Sequence, residues 1–317
     1  MQVDKIIPIE LTKEQAQEYA VKVAKENTDK TVKLVKYMGG GSFGKAVKVT
    51  FEDRESIVIK FLRAEGMLEK ETGDLTLLGK KCSVKMPAVL FVRHKDEDVP
   101  ADCYAMEYIE GKPMIYDSAL YFASKKKRRA IAEKITEGLH SLHECKSAKF
   151  GDTLNPDCDS WTEFYKPFAE QILVKAKELA DKGEIKKDIV DTMQRAWEKF
   201  DIIFEEEVNQ ACLIHGDLNV VNIMVDKSHN LKAFIDPLNS CYADREYDLF
   251  QFYNLTGKRF SLGEVYAEKY GVSKRFYDKM AFYGLFNEVF CYIKSGVLVD
   301  FIMRPLVKNM NKRLKGL

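Results

Sequence analysis

The sequence predicts an α+β chain of two lobes: a small, β-rich N-lobe over residues 1–108 and a larger, mostly α-helical C-lobe over residues 109–317. Three observations carry that expectation. Strand-like alternation prevails between Thr31 and Tyr108, and helical periodicity takes over from about Ser118. Between the two, Tyr108-Ile109-Glu110-Gly111-Lys112-Pro113 ends a strand in a glycine and a proline, the composition of a hinge.

Leu11 to Asn27 reads as an amphipathic helix, because Thr12 and Gln15 have capping-box spacing and Ala16, Tyr19, Ala20, Val23 and Ala24 share one face. The period then drops to two. Thr31 to Tyr37, Lys45 to Phe51 and Ser56 to Phe61 alternate as strands of an antiparallel meander, the first pair joined by glycines and the second by an acidic turn. Met67 to Lys81 reads as a helix, and Ala88 to Arg93 and Cys103 to Tyr108 as two more strands. In the C-lobe, Lys125-Lys126-Lys127-Arg128-Arg129 opens a helix whose Ile131, Ile135 and Leu139 form the buried stripe, so the basic run reads as a solvated face.

Composition narrows the class of partner. The 50 Lys and Arg against 49 Asp and Glu leave a net charge of +1, which removes the electrostatic case for nucleic acid or an anionic membrane. Seven cysteines without a Cys-x-x-Cys pair indicate reduced thiols rather than disulfides or a zinc site. No apolar run approaches the roughly 18 residues of a membrane span, and the expected location is the cytoplasm. A small-molecule partner remains, with the chain a monomer or homodimer.

Gly39-Gly40-Gly41-Ser42-Phe43-Gly44 fits G-x-G-x-x-G, and with Lys45 it fits most of a P-loop. Both nucleotide motifs require a helix to open after the loop, whereas Lys45 to Phe51 alternates as a strand. Ala46 moreover stands where a P-loop needs a hydroxyl for Mg²⁺. A glycine turn between two strands serves another use: its backbone amides can approach phosphates unobstructed by side chains. Lys60 lies inside the apolar strand Ile57-Val58-Ile59-Lys60-Phe61, and a buried lysine needs a partner. Glu71 is placed to supply it, since Leu75 and Leu78 define the inner face of its helix; Glu69 is the competitor.

The chemistry concentrates in Leu213-Ile214-His215-Gly216-Asp217-Leu218-Asn219-Val220-Val221-Asn222 and Ile235-Asp236-Pro237. Ile223 to Val225 and Leu231 to Ile235 read as strands around turn residues 226–230, so a hairpin returns Asp236 to the side of Asn222, with Asp217 one loop away. Two hard oxygen ligands beside a further carboxylate suit Mg²⁺-phosphate chemistry, because Mg²⁺ takes few protein ligands. Asp217 is then left to accept a proton.

These parts, in this order, resemble the kinase-like fold, and within it the aminoglycoside phosphotransferase and choline kinase superfamily. His215-Gly216-Asp217 with Asn222 matches that branch's catalytic loop, and Ile235-Asp236-Pro237 stands where protein kinases have Asp-Phe-Gly. The resemblance implies a bilobal protein-kinase-like fold and an ATP- and Mg²⁺-dependent kinase. It makes Asp217 the catalytic base, Asn222 and Asp236 the metal ligands, and Lys60, oriented by Glu71, the contact to the α/β-phosphates. Gly39, Gly41, Ser42, Phe43 and Gly44 would cover the phosphates, and the backbone of Glu107 and Ile109 would pair with adenine, with Ala46 and Ile59 either lining the base pocket or packing as plain core. His215 and Asp248 would hold the catalytic loop; His140 and His143 read as helix-packing residues.

Phe150-Gly151-Asp152, Trp161 and Tyr242 to Leu249 resemble fructosamine kinases, although Asn219-Val220-Val221 replaces that subfamily's usual Trp and Gly. The acceptor class implied is broad: an aminoglycoside-like antibiotic, an amino-sugar, a fructosamine or a choline-like metabolite, phosphorylated on a hydroxyl or amine. Glu163, Glu170, Asp244, Glu246 and Glu288 could form an acidic pocket for a polycation, and Trp161, Phe164 and Tyr292 could stack on a sugar; plain surface and core packing are the alternatives. Two other functions stand beside the leading one. A protein kinase would need the long activation segment and Ala-Pro-Glu that are missing between Asp236 and Asp248, and a non-catalytic nucleotide-binding protein would not need every catalytic position filled.

Overall fold

The computed structural model describes residues 10–40, 44–63, 66–253 and 257–317. The described residues form two compact units, one of residues 10–80 with Lys85–Glu110, the other of Lys81–Val84 with Gly111–Leu317.

The N-terminal unit opens with α1 (Lys13–Asn27), capped by the reciprocal Thr12 and Gln15 bonds that the spacing predicts. Strands β1 (Val32–Gly40), β2 (Gly44–Phe51) and β3 (Ser56–Leu62) form the meander; after α2 (Leu68–Lys81), β4 (Val89–Arg93) and β5 (Cys103–Glu107) complete an antiparallel sheet in the order β1-β2-β3-β5-β4. Ala16, Ala20, Val23 and Ala24 of α1 bury against Val47, Val49, Ile57, Ile59 and Phe61, the inward residues of the pleat. Each such Val or Ile, fully buried, is worth about 1.5–3 kcal/mol. Ile59 therefore belongs to this core and does not line a base pocket beside Ala46. The two residues are one register step apart on adjacent strands, Ala46 opposite Lys60 and Ile59 opposite Val47, and alternation sends them to opposite faces.

The C-terminal unit is mostly helical, but it also holds two small sheets. Local alternation reveals only β11 (Ile223–Val225) and β12 (Leu231–Phe234), which pair with each other, β11 also pairing with β6 (Lys112–Pro113) on its other side. It does not reveal the five strands of two or three residues that assemble in the order β7-β10-β13-β8-β9: β7 (Lys146–Ser147), β8 (Phe150–Asp152), β9 (Pro156–Cys158), β10 (Ala211–Leu213) and β13 (Cys241–Ala243). Segments so short cannot display a period, and long-range pairing creates them. Around them pack α3 (Ser118–Tyr121), α4 (Lys125–His143), α5 (Trp161–Asp181), α6 (Lys187–Trp197), α7 (Phe200–Ile203), α8 (Glu246–Leu249), α9 (Gly257–Phe260), α10 (Leu262–Tyr270), α11 (Phe276–Ser295) and α12 (Asp300–Leu314).

Trp161 is core rather than a sugar platform: it is buried, stacks on Tyr165 with ring centroids 5.0 Å apart and donates from Nε1 to the Tyr283 hydroxyl at 2.8 Å. Tyr292 likewise donates to the Glu184 carbonyl. Asp244 and Glu246 are buried and paired rather than surface acids. Lys279 of α11 reaches both, at 2.6 Å and 2.9 Å, and Ser273 donates its hydroxyl to Glu246 at 2.7 Å. The three ions are buried together, and the two carboxylates hold the Lys279 ammonium above its ordinary pKa against the opposing effect of desolvation. Removing one member of such a group strands the others. Lys279→Met is expected to cost about 3–5 kcal/mol of stability, read as a shift of the chemical-denaturation midpoint; an unchanged midpoint would show that the triad does not pin α11.

Candidate active site

Strand β10 delivers the chain into the loop at Ile214, and a single buried carboxylate shapes the turn beyond it. Asp248 of α8 accepts the backbone N–H of His215 at 2.8 Å and of Gly216 at 2.6 Å, while Ser240 donates its hydroxyl to the His215 carbonyl at 2.9 Å. Gly216 has φ +82°, and a Cβ there would lie 2.0 Å from the Leu238 carbonyl oxygen, so no side chain fits. His143 of α4, read from sequence as a plain packing residue, extends the brace: its Nε2 lies 3.1 Å from Asp248 and its Nδ1 2.7 Å from the Tyr266 hydroxyl. Asp248 is 105 residues away from it, beyond any spacing rule. His140 does pack, stacked on Tyr270 at 3.7 Å.

The loop presents the Asp217 carboxylate to three side-chain amides. Asn219 at 3.0 Å and Gln251 at 2.7 Å donate to Oδ1, and Asn222 at 3.0 Å donates to Oδ2. Among the described residues no lysine or arginine pairs with it. Burial, foremost, and the neighbouring Asp236 charge push its pKa up to about 7, with the Asn219 and Asn222 amides pulling the other way. His215 is fully buried, and desolvation lowers its pKa, so the ring is neutral; its Nδ1 faces the Asp217 N–H at 3.4 Å. Asn222 spends its amide nitrogen on Asp217, at the backbone carbonyl (2.8 Å) as well as Oδ2, which turns its amide oxygen away. The hairpin closes beside it through an Ile235 N–H to Asn222 carbonyl bond of 3.0 Å, and Asp236 comes next with φ +56°, a left-handed conformation that aspartate tolerates better than most residues.

A second polar cluster sits in the N-terminal unit. Lys60 and Glu71 form a buried ion pair at 2.8 Å, and the Tyr104 hydroxyl donates to the same Glu71 oxygen at 3.1 Å. The pleat puts Ala46, Lys60 and Tyr104 opposite one another across three strands, on the face away from α1. Gly44 lies against Lys60, where a Cβ would come within 2.8 Å of the lysine Cε. Gly39, near the end of β1, has φ +132°, while Gly41, Ser42 and Phe43 lie outside the described residues. Glu107 closes β5: its N–H donates to the Ala88 carbonyl at 2.9 Å, and its side chain pairs with Lys85. Ile109 is buried just beyond it.

A model of the phosphotransferase enzyme family matches residues 43–283, about three quarters of the chain. The chain belongs to this family, and it is a phosphotransferase. Its fold is that of known family structures. A provisional fructosamine-3-kinase from Thermobifida fusca YX-ER1 superposes with a TM-score of 0.64 at 18% identity, covering 92% of this chain and 98% of that one. One from Haemophilus somnus 129PT gives 0.66 at 15%, covering 94% and 96%. The aminoglycoside phosphotransferase APH(4)-Ia gives 0.68 at 12%, covering 95% and 98%. No curated protein matches in sequence.

Within this phosphotransferase, sequence reasoning missed Asn219, His143, Tyr104 and Gln251. Only Asn219 left a trace, as a departure from the fructosamine kinase pattern; it replaces the expected Trp with an amide that touches Asp217. Of the acidic candidates, Glu163 accepts the Asp159 N–H beside the start of α5, Glu170 is exposed, and Glu288 is half-buried with no ion pair among the described residues. Asp248→Ala would strand two buried N–H groups and is expected to cost about 2–4 kcal/mol. Asp248→Asn, which keeps one acceptor oxygen, should cost less; equal midpoints for wild type and both variants in urea would refute the brace.

Proposed function

We propose that the protein transfers the γ-phosphoryl group of ATP, with Mg²⁺, to a hydroxyl or amine of a small molecule. The carrying observation is Asp217: a partly buried carboxylate held by three neutral amides, with Asp236 and Asn222 at its side. Amides orient a carboxylate without neutralising it, so it keeps the basicity that a salt bridge would remove.

In this reading the acceptor oxygen attacks the γ-phosphorus in line as Asp217 takes the hydroxyl proton, and the bond to the β–γ bridging oxygen breaks to release ADP. No covalent phosphoenzyme is needed. Lys60, held by Glu71, contacts the α/β-phosphates, and the backbone amides of the glycine loop, including Gly39 and Gly44, cover them. The Glu107 carbonyl and the Ile109 N–H pair with adenine. Asn222 and Asp236 fit a Mg²⁺ ion, because one turns an amide oxygen outward and the other adds a carboxylate to a pocket already short of positive charge. When bound, the ion would offset phosphate charge. Related structures carry ADP on APH(2'')-Ib, and ADP with hygromycin B on a mutant of APH(4)-Ia, which favours a nucleotide donor here. A protein substrate fits less well, since only β13 and a turn separate Asp236 from α8. A cytoplasmic setting would supply ATP, and no helix among the described residues is long and apolar enough to cross a membrane.

Asp217→Asn is expected to lower kcat on the order of 10²- to 10⁴-fold while ATP binding by calorimetry stays unchanged; undiminished turnover would remove Asp217 as the base. Gln251→Leu should lower kcat roughly 10- to 100-fold through a misdirected carboxylate, with KM for ATP unaffected. Chelation with EDTA should abolish turnover and added Mg²⁺ restore it; activity that survives chelation would refute the metal assignment.

A further inference from the structure

A groove of about 820 Å³ in the C-terminal unit begins beside the catalytic loop. Two connections place its inner end. Phe250 and Tyr253 line it from the same short turn that carries Gln251 to Asp217, and Ile115 lines it while donating its N–H to the Val220 carbonyl at 3.0 Å. The volume lies in the range of sites that enclose a drug-sized molecule.

The walls are mainly apolar and aromatic: Tyr253, Tyr277, Met280, Phe301, Ile302 and Leu306. Several are held open to solvent rather than packed away, with Phe301 75% and Tyr277 48% exposed. The charged lining consists of Lys258 and Arg313 against a single carboxylate, Glu264. Arg313 lies over the Tyr277 ring at 5.1 Å and near Asp278 at 3.8 Å, whereas Lys258 and Glu264 have no ion pair among the described residues. The Tyr253 hydroxyl is buried without a hydrogen-bond partner among the described residues, a group that a ligand could satisfy. Two cations and one carboxylate disfavour a ligand with several positive charges. Of the other acids that could have attracted one, Asp244 and Glu246 are paired with Lys279, and none lines this groove.

We propose that this groove binds the phosphoryl acceptor, and that the acceptor is a bulky, largely apolar alcohol with at most one charge rather than a polycationic amino-sugar. The proposal rests on the reading of Asp217 as the base, since the groove is placed by its continuity with that residue. The apolar body would lie between Tyr277 and Phe301, with its hydroxyl directed past Gln251 toward Asp217.

The test measures ADP release by the full-length protein with Mg²⁺-ATP and two acceptor sets. One holds a hydroxysteroid, a macrocyclic lactone polyol and aryl-substituted propanols; the other holds kanamycin and neomycin. At least one alcohol of the first set should exceed both polycations at least tenfold in kcat/KM. Phe301→Ala, at a position too exposed to threaten the fold, should raise that alcohol's KM about tenfold and leave kcat and the KM for ATP unchanged. Preference for the polycations, or an unchanged KM in Phe301→Ala, overturns the proposal. Silence of both sets overturns it as well, and hydrolysis of ATP by water then separates the two readings. Hydrolysis that vanishes in Asp217→Asn leaves the phosphotransferase mechanism standing without this acceptor class, whereas no hydrolysis at all removes both.

Discussion

The buried carboxylate of Asp248 organises the loop that carries Asp217. Two consecutive N–H groups, His215 and Gly216, leave β10 with no strand to pair with, and water is excluded from them; an acceptor must come from elsewhere in the chain. Asp248 supplies both oxygens. With the amides so held, Gly216 adopts its left-handed conformation, the chain reverses, and Asp217 faces Asn222 and Gln251 instead of continuing the strand. His143 and Tyr266 tie the same carboxylate to α4 and α10, so the loop's shape depends on helices distant in sequence.

Buried charge is managed in three different ways in this protein. Lys279 bridges Asp244 and Glu246, a structural use in which one buried ammonium is shared by two carboxylates. Lys60 and Glu71 are also paired, but the Tyr104 hydroxyl shares the same Glu71 oxygen, which fixes the direction of the pair on the sheet face. Among the described residues, Asp217 receives only amides at its carboxylate. Its carboxylate is oriented yet left basic, and the nearby Asp236 raises the proton affinity further. The contrast sets a carboxylate left basic apart from charges that are paired for packing.

Much of the molecule is legible wherever function is written in contiguous residues. The capping box of Thr12 and Gln15, the meander, the hairpin that returns Asp236 to Asn222, and the approach of Glu71 to Lys60 all come from local period or from turns of a few residues. The readings that failed depend on which face of an element meets which neighbour. Ile59 lies one pleat away from the face that Lys60 uses. Trp161, for which sequence leaves a sugar platform and core packing both open, is sealed among Tyr165, Tyr247 and Tyr283. Asp244 and Glu246 look like surface acids until α11 brings Lys279 over them.

Periodicity and motifs a few residues long were enough to specify the α+β architecture, the order of the main elements and the hairpin that sets Asp236 beside Asn222, since each is encoded among near neighbours in the chain. Folding in three dimensions settled that Gln251 and Asn219 share Asp217, that His143 belongs to the loop's brace, and that the groove beside the loop is apolar with few charges. Most of those contacts join elements that no local spacing connects. Hydrogen bonds and burial are satisfied in space, and a chain of residues states the donors and acceptors without stating which of them meet.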